Sequence, residues 1–435
     1  MIEWSTNVES ADCLSADKLR KRQDERLRAT VQHAVQNVPL YRERFQACGV
    51  APESVSGIED LPRLPFLFKS DYREQSPYGL FATPLQQVVR LHSSSGTTGM
   101  PTVVGYTQND IDLWTSVMER TLRLCGVTPS DVVQVAFGYG LFTGGLGVHY
   151  GAESLGATVI PVSGGQSDRQ IQLLRDLNVT TICCTPSYFL HLLERADDLG
   201  INLRELPLQT GIFGAEPWSE PMRQRIEDAA GIRAYDIYGL SEIIGPGVAS
   251  ACEEQDGLHV FEDHFFPEIV DPDSGDPLPV GEEGELVLTT LSREAVPAIR
   301  YRTGDITALI SDPCPCGRTT TRIRRVTHRC DDMLIVRGVN IYPAQIEDVL
   351  LSSECVSPHY EIHLTRDRSL DQIQVRVEID RDDLGNTDQV CDQLAKRLHQ
   401  VMGIKATITL AESMTLARSE GKARRVFDRR CEEQV

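Results

Sequence analysis

Between residues 131 and 240 the chain alternates short apolar runs with amphipathic stretches, and this order admits few architectures. DVVQVAFG (131–138), ATVIPVSGG (157–165), TTICCTP (180–186), LQTGIFGAE (208–216) and IRAYDIYG (232–239) read as buried strands. SDRQIQLLRDLN (167–178), with Ser167 as its N-cap, SYFLHLLERADDLG (187–200) and a segment near 223–229 read as the helices between them. Strands and helices in this order imply a parallel sheet covered by helices. The chain up to roughly Asp71 reads as mainly helical, with Leu27, Val31 and Ala34 at helical spacing. From about Val260 the texture turns β-rich, in GELVLTTL and IRYRTGDITAL.

The last 105 or so residues change again. Ile373, Val375, Val377 and Ile379 alternate at the period of a half-buried strand, an amphipathic helix ends at Gly403, and KATITLAE reads as another strand. The expected fold is therefore α/β. A large N-terminal domain (1–328) has parallel or mixed sheets covered by helices plus a β-rich subdomain, and a small α+β C-terminal domain (329–435) follows.

A formal charge of -20 opposes nucleic-acid phosphates and anionic membranes. No run of about 18 apolar residues predicts a transmembrane helix, and the acidic N-terminus does not read as a secretory signal. Twelve cysteines without such a signal point to reduced thiols in a cytoplasmic protein, or to metal ligation. Cys252 and His259, with the distant Cys314 and Cys316 of DPCPCGRT, make a thiolate and imidazole set suited to closed, structural Zn²⁺. Packing residues or chance pairs are the alternative. Cys183 and Cys184 lie in an apolar strand and read as core.

HSSSGTTGMPT (92–102) lies between two strand-like runs. Its glycines permit tight turns, and its hydroxyls and amides can make a concave anion site. It lacks the lysine and following helix of a Walker A loop, and alone it could be an ordinary flexible turn. FGAEPWSE (213–220), YGLSE (238–242), YRTGD (301–305), RCDDMLIVRGVNIYPAQIE (329–347) and RSEGKARRV (418–426) follow in order.

Taken together, these motifs resemble the adenylate-forming superfamily, and within it the phenylacetate–CoA ligase branch. The stretch 137–165 resembles that branch too. The resemblance covers nearly the whole chain. It implies an ATP-dependent acid–thiol ligase that forms an aryl-adenylate and then an aryl-CoA thioester. The expected acid is a small aromatic one: phenylacetate, or a substituted benzoate or anthranilate.

The resemblance assigns roles by position. Ser94, Ser95, Gly96, Thr97, Thr98 and Gly99 would hold the β- and γ-phosphates of ATP. Gly214, Ala215 and Glu216 would line the adenine and aryl sites. Asp236, Ile237, Tyr238 and Gly239 would surround the adenine, with Tyr238 stacking on it. Ser241 would contact the α-phosphate, and Glu242 would carry Mg²⁺. Asp305 would accept from the ribose hydroxyls, and Arg329 would contact ribose or phosphate. Lys422 would bridge the acid and the α-phosphate. By itself Lys422 would read as a surface lysine in a basic segment, one whose charge could attract ATP and coenzyme A.

Asp331 matches the hinge on which a mobile C-terminal lid turns, taking Lys422 away and bringing Gly338 to the CoA channel. The aryl slot would use Tyr139, Phe142, Phe213, Gly214, Ala215, Ile243, Ile244 and Pro246, with His149 nearby or simply in the core. Relatives in this branch resemble the chain in the zinc ligand set, and a dimer is common among them. Met100 stands where the family's phosphate loop has lysine, and His328 where its hinge has glycine. Two alternatives stay open: an enzyme loading an aryl acid onto a carrier-protein thiol, and a non-catalytic nucleotide-binding relative.

Overall fold

The computed structural model describes residues 11–93, 102–326, 328–337, 339–353, 355–367, 370–379, 387–419 and 422–430. The predicted phosphate loop, Ser94 to Gly99 with Met100, and the predicted CoA-channel residue Gly338 lie outside the described residues. No helix among those described is long and apolar enough to cross a membrane.

The α/β alternation builds the spine of the molecule. Strands Thr158–Pro161, Val132–Val135, Thr181–Cys184, Thr210–Gly214 and Arg233–Leu240 lie side by side and parallel. The sheet then continues antiparallel through Gly245–Ser250, Leu258–Val260, Arg322–Ile323 and Leu309–Ile310 to reach nine strands. The sheet is thus mixed, and the antiparallel half explains how the β-rich sequence after Val260 attaches to the α/β part.

Gly239 permits the change of direction. A Cβ there would lie 2.0 Å from the Gly245 carbonyl oxygen, so any side chain would part the two strands at their turn. Helices Gln108–Leu124 and Gly144–Leu155 cover one face, and Ser167–Asp176, Pro186–Asp198 and Glu220–Ala230 cover the other. Cys183 and Cys184 are fully buried strand residues.

Ser167 is the first residue of its helix, not the cap. Gln166 holds the cap position in a left-handed conformation (φ 53°), and the Ser167 hydroxyl lies 3.4 Å from the Tyr188 hydroxyl. A left-handed cap brings the chain in at a different angle from the extended backbone that a serine cap uses.

The N-terminal helix Ala16–Asn37 buries Leu27, Val31 and Ala34 against the core shared with the β-rich part. That part is a four-stranded antiparallel sheet, Phe265–Val270, Gly284–Thr290, Tyr301–Thr307 and His328–Arg329. The C-terminal part has its own sheet, in the order Thr407–Ala411, Leu370–Ile379, Val356–Asp367, Val426–Asp428. Helices Pro343–Leu351 and Thr387–Met402 close its separate apolar core. Leu351 leaves that core and packs instead with the helices beneath the parallel sheet.

Candidate active site

The carboxyl ends of the parallel strands, the four-stranded sheet and the C-terminal part meet around one open cleft of about 1330 Å³, mouth included. A cleft at the carboxyl ends of parallel strands is where open α/β sheets place their ligands. The Thr210–Gly214 strand delivers Ala215 and Glu216 to it. The Arg233–Leu240 strand and the turn after it deliver Asp236, Ile237, Tyr238, Gly239, Ser241 and Glu242. Asp305 and Arg329 come from neighbouring strands of the smaller sheet, and Lys422 comes from the C-terminal segment.

Several close contacts order these groups. The Tyr238 hydroxyl donates to Asp305 Oδ2 at 2.5 Å, and Arg329 donates to Asp305 Oδ1 at 2.5 Å. Burial, reinforced by the Asp305 charge, holds the Tyr238 phenol well above its ordinary range. Asp236 is likewise pushed up by burial, although Arg325 Nε at 3.4 Å opposes the shift. The Ser241 hydroxyl lies 3.3 Å from that of Thr143.

Glu242 is almost fully buried yet opens on the cleft. Its backbone carbonyl accepts from Tyr72 and from the buried Arg293, each at 3.0 Å. Arg293 also donates to the Ile243 and Gly105 carbonyls. One guanidinium therefore ties the turn holding Glu242 to the Val103–Tyr106 strand. That strand pairs with Arg90–Ser93 in the hairpin whose connection carries the predicted phosphate loop. The Ser93 amide donates to the Leu141 carbonyl at 3.0 Å, anchoring this hairpin end beside Phe142 and Thr143 of the cleft.

Lys422 is solvent-accessible at the mouth but has protein around much of its side chain. Burial lowers its ammonium below the ordinary lysine range, and Glu216 opposes that shift. Glu216 Oε1 accepts from the Ser187 amide at 2.8 Å and Oε2 from the Ala423 amide at 3.0 Å. Ala215, just before it, holds a left-handed φ of 72°.

The aryl-slot candidates separate. Phe142, Ala215 and Pro246 line the cleft. Phe213 is fully buried between Phe189 and Trp218, with ring centroids 5.2 and 5.5 Å away, and Ile243 and Ile244 are fully buried core. Gly214 is backbone packed against Ile237, whose carbonyl oxygen would sit 2.6 Å from an added Cβ. Tyr139 packs beside the core, its hydroxyl 3.2 Å from His149 Nδ1, while His149 Nε2 lies 3.1 Å from Glu153. Asp331 lies in the short Cys330–Asp332 turn.

Three arginines of the basic tail are already engaged by acids of the protein. Arg418 pairs with Glu194 and Glu378, Arg425 lies near Glu347, and Arg430 pairs with Asp371 and Asp428. Their charges are spent within the protein.

The motif reading missed Lys69, Thr143, Trp218, Tyr301, Thr303 and Val326, which also line the cleft. Trp218 lies inside FGAEPWSE, and Tyr301 and Thr303 inside YRTGD, so the motifs already contained them. Lys69 and the supporting Arg293 carry no local signal, since each reaches the site from a distant segment.

At the far end of the sheet, Cys252, His259, Cys314 and Cys316 bring their ligand atoms within 4.8 Å of one another. Cys252 and Cys314 sulfurs are 3.7 Å apart, and Cys316 Sγ lies 3.4 Å from His259 Nε2. Tetrahedral Zn–S bonds of about 2.3 Å and Zn–N bonds of about 2.0 Å would space ligand atoms roughly 3.4–3.8 Å apart. The donor set therefore fits zinc. The other ring nitrogen of His259 lies 2.9 Å from the Thr320 hydroxyl, a partner that orients the imidazole.

Residues 24–292 match the family described as AMP-binding enzyme, and residues 338–430 match the AMP-binding enzyme C-terminal domain. The chain is 51% identical over 428 residues to a phenylacetate-coenzyme A ligase of Pseudomonas putida, covering 97% of each protein. It superposes on a 2-hydroxyisobutyryl-CoA ligase in its postadenylation state, bound to 2-HIB-AMP, with a TM-score of 0.92 and 30% identity, over 98% of this chain and 95% of that one. Against the same ligase in its thioesterification state, with CoA bound, the score is 0.73 at 30% identity, over 99% and 96% of the two chains.

Proposed function

Since the chain belongs to the AMP-binding enzymes, in their phenylacetate–CoA ligase branch, we propose that its cleft joins phenylacetate to AMP and then passes the acyl group to coenzyme A. The protein is an ATP-dependent aryl acid–CoA ligase. The observation that carries the assignment of the site is the convergence of Asp236, Tyr238, Ser241, Glu242, Asp305, Arg329 and Lys422 on one cleft.

In the first half-reaction a carboxylate oxygen of the acid attacks the α-phosphorus of ATP and pyrophosphate leaves. Two anions must meet, so the protein's task is to position them and to stabilise charge in the transition state. Lys422 supplies a cation reaching both partners, and Ser241 supplies a hydroxyl to the α-phosphate. Asp305, already oriented by Tyr238 and Arg329, receives the ribose hydroxyls. Partly buried Asp236 faces the adenine edge. Glu242 offers the hard oxygen that suits Mg²⁺, which when bound neutralises phosphate charge. Phe142, Ala215 and Pro246 offer apolar surface to the aryl ring. Ser94 to Gly99 remain the proposed phosphate cradle.

In the second half-reaction the CoA thiol attacks the acyl carbon and AMP leaves. The closer likeness to the postadenylation form supports reading this conformation as the one that serves the first step. Asp331 is the proposed hinge between the two arrangements, with 1–328 as the adenylating domain and 329–435 as the lid that brings Gly338 to the thiol channel. Cys252, His259, Cys314 and Cys316 are the proposed ligands of a structural zinc. They would fill all four positions and leave none for substrate.

The test is pyrophosphate release from ATP, Mg²⁺ and a panel of acids (phenylacetate, benzoate, anthranilate, a fatty acid), with and without coenzyme A. Release with phenylacetate, accelerated by coenzyme A, is expected. Release that only a carrier-protein thiol accelerates would reassign the acceptor, and no release with any acid would overturn the reading.

A further inference from the structure

Glu216 makes contacts that a wall of a nucleotide site does not need. The left-handed Ala215 turns the chain sharply after the Thr210–Gly214 strand, and the Glu216 carboxylate then reaches in two directions. One oxygen takes the Ser187 amide at the start of helix Pro186–Asp198, where the Thr185 hydroxyl already caps the Tyr188 amide at 3.3 Å. An acid at a helix N-terminus is held both by the hydrogen bond and by the helix dipole. The other oxygen takes the amide of Ala423, the residue immediately after Lys422.

Around this bridge the two parts meet again. Arg425 reaches the Ser187 hydroxyl at 3.3 Å, and Arg418 binds Glu194 of the same helix at 2.7 Å. These contacts fasten the segments on either side of Lys422 to one helix of the large domain, while Glu216 fixes the backbone at the lysine itself.

We infer that Glu216 is a positioning residue that sets the register of the Lys422 segment. It holds the ammonium in the cleft for adenylation, and the lid must give up the Ala423 bond before thioester formation. This inference rests on the adenylating reading above. A backbone amide is a suitable point of attachment, because it fixes where the chain lies, while the carboxylate charge also favours the protonated lysine beside it. Misplacing a reacting group by about 1 Å can cost on the order of 100-fold in rate, so a single lost bond at this point would be felt in the first step alone.

The experiment measures the two half-reactions separately in the full-length protein. Adenylation is followed as pyrophosphate release in single turnover, and thioester formation is started from supplied phenylacetyl-adenylate and coenzyme A. For Glu216→Ala the rate of adenylation is expected to fall about 10- to 100-fold with little change in the KM for ATP, while thioester formation stays within about threefold of the parent. Glu216→Gln has one carbonyl oxygen for two amides and is expected to fall between.

In a Lys422→Ala background, Glu216→Ala is expected to add nothing further, because it acts through that lysine. A rise in the KM for ATP with the rate preserved would overturn the inference and make Glu216 a nucleotide contact. Equal losses in both half-reactions, or additive losses in the double variant, would overturn it in favour of a general structural role. Failure of the parent protein to release pyrophosphate would instead defeat the adenylating reading itself.

Discussion

Tyr238 and Asp305 join the two sheets of the large domain through a 2.5 Å hydrogen bond, although they lie 67 residues apart. Arg329 takes the other carboxylate oxygen, so both oxygens of Asp305 have partners within the protein. Hydrogen bonds to a charged group contribute about 1.5–3 kcal/mol. Tyr238→Phe should therefore raise the KM for ATP by roughly tenfold, because Asp305 loses one restraint but keeps its charge. Asp305→Asn should raise it further, since the carboxamide has only one acceptor oxygen for the ribose and Arg329. Steady-state kinetics with varied ATP at saturating phenylacetate checks both. An unchanged KM in Asp305→Asn would remove this residue from the nucleotide site.

The lowered pKa of Lys422 gives the first half-reaction a pH signature. On the proposed reading Lys422 works as a cation, and the protein around its side chain makes it lose its proton at a lower pH than an ordinary lysine does. Adenylation should decline as pH rises through that lowered value, while thioester formation from supplied adenylate should lack this limb. Lys422→Arg should slow adenylation and abolish the limb, because arginine stays charged throughout. Lys422→Ala should cost about 100- to 1000-fold in adenylation, as removal of a transition-state charge partner does elsewhere. An alkaline limb that persists in Lys422→Arg would assign the titration to another group.

Zinc should behave as a staple. A bound ion would join Cys252 and His259, near the antiparallel edge of the large sheet, to the Cys314–Cys316 loop, and the Thr319 amide on that loop donates to the Asp12 carbonyl at 3.0 Å. Protein purified without chelator is expected to carry about one zinc per chain. Cys314→Ser should lower the zinc content and the thermal midpoint, and leave the KM for ATP within about twofold at permissive temperature. Metal-free protein with an undiminished midpoint would dispose of the site.

The central alternation was legible because each strand and helix carries its own period: the apolar runs from Val132 to Leu240 did become five parallel strands. The antiparallel continuation was harder to see, because its last strands, Leu309–Ile310 and Arg322–Ile323, have two residues each and no periodicity to detect. Motif residues such as Tyr238, Asp305 and Lys422, which the structure brings to one cleft, could be singled out because they belong to short, ordered signatures. Arg293 was not, since its importance comes from four carbonyls on two remote segments. The aryl slot was read least well. Ile243 and Ile244 are as apolar as a ligand wall must be, but the turn buries them, and apolar character alone does not tell a wall from a core.

His264 predicts how acid weakens the fold. It lies among Asp263 at 3.0 Å, Ser292 at 2.6 Å and Arg26 at 3.2 Å, with Arg120 also bound to Asp263. Burial pulls its pKa down to about 4, opposed by Asp263 and reinforced by Arg26. In the unfolded chain the imidazole accepts a proton near an ordinary value of about 6.5. Between these two values the unfolded state binds the extra proton, so stability is full above about 6.5 and is lost as pH falls toward 4. The loss between pH 7 and 5 from this one group should be on the order of 1–2 kcal/mol. Denaturant midpoints measured at both pH values, for the parent and for His264→Gln, isolate it. The variant's midpoint should lie lower at pH 7 yet change less on acidification, because it has no imidazole to protonate. Equal acid shifts in the two proteins would show that His264 does not carry this loss.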